Sequence, residues 1–130
     1  DMGAGIDRTV RQLATYASKC IVVVTDEPTA LTDAYAYAYI KITHAERPDT
    51  DIQVVANMVN STREGERTHN TLSKACQGFL KFSPPLLGVI RRDNKVREAI
   101  RNQASLLTRF PTCEAAADVE SIVKKLMEEK

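Results

Sequence analysis

Three short apolar runs, beginning at Cys20, Ile52 and Leu86, recur along the chain with polar-faced segments of helical length between them. The first reads CIVVVT from Cys20 to Thr25, β-branched and apolar on both faces, which predicts a strand covered by helices on both sides. The second is IQVVAN from Ile52 to Asn57 and the third LLGVI from Leu86 to Ile90. Strands of this kind pair in parallel, and a parallel pair needs a crossover of roughly a dozen residues or more. The intervening segments supply it. In residues 29–45, Leu31, Ala34, Tyr35, Ala38, Tyr39 and Ile42 follow helical spacing, and the alternation of Ala and Tyr within it is outweighed by the helix preference of alanine.

A second helix is announced by Ser61-Thr62-Arg63-Glu64, a capping box, with Thr68, Leu72, Ala75, Cys76 and Phe79 on one face. Residues 7–17 predict an earlier helix, 94–102 a short one, 103–111 an irregular stretch, and the end of the chain a helix striped by Ala115, Val119, Ile122, Val123 and Leu126. Strands alternating with helices mean a mostly parallel α/β sheet with flanking helices. With 130 residues there is room for one domain. The 18 basic and 17 acidic residues leave a formal net charge of +1, which argues against a general polyanion binder. Cys20, Cys76 and Cys113 are too widely spaced for a metal knuckle or a disulfide framework and fit a reducing cytoplasm.

In an open parallel sheet, ligands gather beyond the carboxyl ends of the strands, so the residues there are the candidates. They are Asp1 to Gly5, Thr25 to Thr29, Asn57 to Asn60, and Arg91-Arg92-Asp93. Asp1, Gly3 and Gly5 form a D-x-G-x-G pattern that suits a magnesium ion held through water and a backbone close to phosphate; as a bare pattern it also describes a tight turn. The amide of Asn57 matches a purine edge, and equally caps turns. Asp26 and Glu27 read as solvated loop carboxylates, with Glu27 at a helix start, and His44 and His69 as surface histidines without a metal-ligating partner. Lys81, Arg91, Arg92, Lys95, Arg97, Arg101 and Arg109, against only Asp93 and Glu98, make a basic stretch open to nucleotide phosphate, DNA, anionic lipid or plain solvation. The terminal helix reads as core-packing.

In this order the motifs resemble the C-terminal half of a MinD/ParA-type P-loop ATPase, most similar to the flagellar-number regulators of the FlhG/FleN group. Asp1 to Ile6 resembles the D-x-x-A-G-I loop after the Walker B strand. Val23 to Tyr35 resembles the V-T-x-E-P-T-x-x-T-D-A-Y signature, the most specific of the set; Val55 to Ser61 resembles V-A-N-M-V-x-S. Leu87-Gly88-Val89-Ile90, with Asp93 and Val96-Arg97, resembles L-G-x-I-P-x-D-x-x-V-R, with Arg91 in place of the family's proline. Residues 1–130 then correspond to the C-terminal portion of one Rossmann-like P-loop NTPase domain whose Walker A half lies outside the chain.

The resemblance implies an ATP- and magnesium-dependent switch, cytoplasmic or peripheral at the inner face of the cell membrane, that dimerises on nucleotide and engages a flagellar assembly GTPase or regulator. Asp1 would orient the magnesium shell as the catalytic carboxylate, with Gly3 and Gly5 in the following loop. Asn57 would meet the adenine edge, and backbone at Arg91, Arg92 and Asp93 would close over the base. The alternatives are a non-catalytic module that binds a protein or DNA, and a partition-type ParA ATPase. No G-K-G-G-x-G-K-[ST] loop occurs in the sequence, and without that cradle phosphates are hardly held. The chain alone is therefore expected to be inactive and, by isothermal titration, to bind Mg-ATP no tighter than about millimolar, roughly −4 kcal/mol; micromolar binding would contradict the argument.

Overall fold

The computed structural model describes residues 19–44 and 51–129. Their order is β1 (Lys19–Val24), α1 (Pro28–His44), β2 (Asp51–Val59), α2 (Thr62–Leu80), β3 (Leu86–Arg91), α3 (Asn94–Arg101), α4 (Leu106–Arg109) and α5 (Glu114–Glu128). The strands form one parallel sheet in the order β1-β2-β3. All three predicted strands are present, and the Ala/Tyr segment is helical. The helix predicted over 7–17 lies outside the described residues.

Alternation along the strands divides the core. Cys20, Val22 and Val24 of β1 stand in register with Ile52, Val54 and Ala56 of β2. This face is covered by α1 and α2, as two successive crossovers of the same hand require: Val24 and Val54 pack with Ala34 and Ala38 of α1 and with Leu72 and Cys76 of α2. On the opposite face α5 lies across β3, packing Ile122 on Val55 and Leu87 with Ile90 and Leu126 alongside. No helix among the described residues is long and apolar enough to cross a membrane.

Five expectations fail here. Among the described residues α5 covers β3 and the near side of β2 and meets β1 where Glu129 at its end pairs with Lys19 at 2.8 Å, so Ile21 and Val23 are 42% and 59% exposed where the sequence predicts cover on both sides. Phe79 is 81% exposed, since Leu80 takes the core contact in the last turn of α2 and leaves Phe79 edge-on to Tyr35. Val123 points outward from α5 beside the buried Ile122. The stretch taken as irregular contains α4, a single turn. His69 is also half-buried, its Nε2 2.7 Å from the Pro84 carbonyl, so it ties α2 to the loop that feeds β3.

The predicted cap forms with one variation: Ser61 Oγ accepts from the Glu64 amide at 3.1 Å, while the Glu64 carboxylate accepts at 3.1 Å from the amide of Asn60, one residue before the cap. Two glycines set the layer spacing. A Cβ on Gly65 would stand 2.5 Å from Val89 Cγ1, and one on Gly88 would collide with Ile122 Cγ1, so α2 and α5 approach β3 as closely as a missing side chain allows. Gly88→Ala is expected to destabilise by about 1–3 kcal/mol, the usual cost of overpacking, and to cost less when introduced into Ile122→Ala, which removes the Cγ1 and Cδ1 it would meet; denaturant midpoints of the two single variants and the double variant check this.

Candidate functional site

The carboxyl ends of the three strands lie along one edge of the sheet. After β1, Thr25 Oγ1 accepts from the Glu27 amide at 3.4 Å, and the Glu27 carbonyl accepts from the Leu31 amide at 3.2 Å. Glu27 thus starts α1, and Asp26 and Glu27 are exposed, as the sequence suggested.

After β2 the backbone departs from regular pairing. Asn57 pairs with Ile90 and Val59 with Arg91, so Met58 is an extra residue, and it adopts the left-handed region at φ 58°. A non-glycine residue there is strained, and such strain is retained where the surroundings enforce it. The enforcing contacts come from the next residues along β3. The Arg92 amide donates to the Val59 carbonyl at 2.7 Å, and its guanidinium Nη2 donates to the Met58 carbonyl at 3.4 Å. The bulge turns the Met58 side chain outward, 48% exposed, next to a half-buried Asn57. Asn57 makes no side-chain hydrogen bond among the described residues. By strand alternation it shares its face with Val55 and with the uncovered Ile21 and Val23.

Arg91 and Asp93 are held from α5. Asp118 accepts from the Arg91 amide at 2.9 Å and from Nε and Nη2 at 3.0 Å each, a bidentate fork, with Glu114 3.6 Å from Nη1. The Asp118 bonds keep the Arg91 guanidinium firmly charged. Arginine in the family's proline position therefore adds no free charge, and the fork fixes the loop by another means. Asp93 closes the rim by capping two helices at once: Oδ2 accepts from Ala115 of α5 at 3.0 Å and Oδ1 from Lys95 of α3 at 2.9 Å. Cys113 completes that corner, its sulfur accepting from the Ala116 amide at 3.4 Å.

The structure thus brings together Asn57, Arg91, Arg92 and Asp93, and the Asn57 amide has no hydrogen-bond partner among the described residues. Asp1, Gly3 and Gly5 lie outside the described residues. Among the described residues no group of three or more His, Cys, Asp or Glu is placed to hold a metal ion. Asp118 lies outside the candidate segments, and Met58 lies within the Asn57 to Asn60 segment without a role of its own. Asp118 follows Glu114 by one helical turn, a spacing that gives two carboxylates one face without naming the arginine they meet; for Met58 no sequence signal exists.

No family model matches the chain. It is 34% identical over 126 residues, 97% of its length, to the Antiactivator FleN of Pseudomonas aeruginosa, of which it spans 44%. It is 33% identical over 108 residues to the Flagellum site-determining protein YlxH of Helicobacter pylori, covering 82% of this chain and 35% of that one. The chain accordingly spans less than half the length of these relatives. Its fold is that of the cell division ATPase MinD of Pyrococcus furiosus, with TM-score 0.71 and 19% identity over 98% of this chain and 50% of that one. MinD of Aquifex aeolicus gives TM-score 0.68 and 17% identity over 97% and 50%.

The amides of Ala115 first, then Lys95, hold the Asp93 carboxyl below its ordinary value. A carboxyl lowered on folding stabilises the fold above its unfolded pKa and loses that contribution as pH falls through the folded one. Asp93→Ala is expected to cost about 1–2 kcal/mol at neutral pH, as lost caps do. The gap to the parent should narrow below about pH 4 in urea titrations; a gap constant down to acid pH would contradict the double-cap assignment.

Proposed function

We infer, since this chain belongs to the MinD/ParA-type P-loop ATPases of the FlhG/FleN-like flagellar regulators and corresponds to roughly their C-terminal half, that it forms the base-reading half of an ATP-dependent switch acting on flagellar number or placement. The observation that carries this reading is Asn57: a half-buried amide with no partner among the described residues, at the carboxyl edge of a parallel sheet, framed by a strained bulge and a clamped loop. A side-chain amide presents one donor group and one acceptor, the pattern an adenine edge complements. The 91–93 backbone is fixed beside it by Asp118, Val59 and the two helix caps, so little ordering remains to be done when a base arrives.

ATP with magnesium, when bound, supplies the anhydride whose hydrolysis resets such a switch. The fit to this chain is partial. Asn57 and the 91–93 rim suit the base. Asp1, with Gly3 and Gly5, is the set that would face the metal and phosphate by the family's pattern, and the phosphate loop belongs to the portion of the relatives that this chain does not span. The exposed Ile21 and Val23, on the same face as Asn57, are the apolar surface that this further portion would cover. In the whole protein we assign a nucleotide-dependent homodimer in the cytoplasm or at the inner membrane surface, engaging a flagellar regulator or assembly GTPase.

The test uses the full-length protein. Asn57→Ala is expected to weaken ATP binding about tenfold, equivalent to 1.4 kcal/mol, and to erode discrimination between ATP and GTP, as read by equilibrium binding of both nucleotides. Cells carrying it should show altered flagellar counts. Unchanged ATP affinity and selectivity would overturn the base-reading role.

A further inference from the structure

The basic stretch that follows the rim is only partly accounted for by the site. Arg91 is bound to Asp118, Arg92 reaches the Met58 carbonyl, and Lys95 pairs with Glu98 at 3.2 Å while lying 4.8 Å above the Phe110 ring. Arg97, Arg101 and Arg109 have no carboxylate partner among the described residues. Arg97, Ile100 and Arg101 are three and four positions apart, and so share one face of α3. On that face Ile100 is 70% exposed, and Leu107 of α4 is exposed as well. The turn that follows carries a shallow, open depression lined by Ala104, Ser105, Thr108, Arg109 and Phe110.

This surface is rigidly built. The chain turns sharply at Gln103, in the left-handed region at φ 51°, the Ala104 amide returns to the Ala99 carbonyl at 2.9 Å, and the Phe110 amide closes α4 on the Leu106 carbonyl at 2.8 Å. Asp93 anchors the start of α3. The arginines therefore stand on a fixed frame around exposed aliphatic side chains.

We propose that the α3–α4 surface is a docking site for an acidic segment of a partner protein that carries apolar anchors. The charge pattern selects the partner. Three cations without carboxylates call for an anionic surface, and apolar side chains among arginines with a dimple alongside match the composition of protein interfaces. A phosphate backbone rewards the arginines and gains nothing from Ile100 and Leu107. A membrane-lying helix needs a longer apolar face than the two turns of α3. Exposed ion pairs are individually weak, so burial of Ile100 and Leu107 supplies affinity while the arginines set orientation and encounter rate.

The probe is a short synthetic helical peptide with leucines one turn apart and glutamates at the flanking positions, titrated by fluorescence anisotropy into the full-length protein. Binding should saturate and weaken about tenfold with Arg97→Glu combined with Arg101→Glu, and several-fold with Ile100→Ser. A peptide with serines for leucines should bind several-fold more weakly. These positions are exposed, so circular dichroism of the variants should match the parent. The proposal is overturned if the serine peptide binds equally, if the substitutions change nothing, or if a DNA duplex or phosphatidylglycerol vesicles bind through the same arginines at a salt concentration where the leucine peptide does not. ATP affinity, measured on the same variants, should be unchanged, which keeps this outcome separate from the role of Asn57.

Discussion

Parallel pairing of three short strands governs everything else in this molecule. A parallel strand cannot be reached by a tight turn, so each connection must return over the sheet, and both described crossovers do so on one face. The consequence, among the described residues, is an asymmetric sheet: α1 and α2 enclose one face with Val24, Val54, Leu72 and Cys76, while α5 crosses the other over β3 and the near side of β2. A second consequence is that all three strands end at one edge, so residues distant in sequence, Asn57 and Arg91 to Asp93, become neighbours. The site is a product of topology before it is a product of any motif.

What topology brings together, α5 makes rigid. The helix is drawn against β3 by the absence of a side chain at Gly88, and its first two turns then present Glu114 and Asp118 to Arg91. At a partly exposed site the fork matters more for geometry than for stability, because solvent screening discounts such pairs. Its specific contribution is that Asp118 accepts from the Arg91 backbone as well as from the guanidinium, so the main chain is fixed at the point where it leaves the sheet. Met58 is the counterpart on β2, a strained residue held in place by the Arg92 contacts to Val59 and Met58.

Much of this was legible in the sequence, and the reason is physical. β-branched runs, the Ser61/Glu64 box and the spacing of Leu72 and Cys76 are local signals, and local signals place elements. The motif order from Val23 to Arg97 placed the family. The failures concern quantities that only packing decides. Whether Ile21 and Val23 are covered depends on how far α5 extends across the sheet; whether Phe79 or Leu80 turns inward depends on which meets the core in the last helical turn. Arg91 stands where the resembled pattern has a proline, and the partner that replaces proline's stiffness lies 27 residues downstream, out of reach of any local signal. The Met58 bulge arises from a register shift between two strands, and register is a property of the pair.

Asp93 links the candidate site to the surface beyond it. One of its oxygens holds the start of α5, which carries the Asp118 that fixes Arg91; the other holds the start of α3, which carries Arg97, Ile100 and Arg101. A single carboxylate therefore joins the rim beside Asn57 to the frame of the arginine-flanked surface. Thermodynamic coupling between two sites requires that their ligands favour different arrangements of something both touch. Here the shared element is identified and small: a shift of Asp93 that lengthens one cap changes the other, because both bonds originate in the same rigid carboxylate plane. Through that carboxylate the rim at the carboxyl edge of the sheet has a direct mechanical connection to an outer helix.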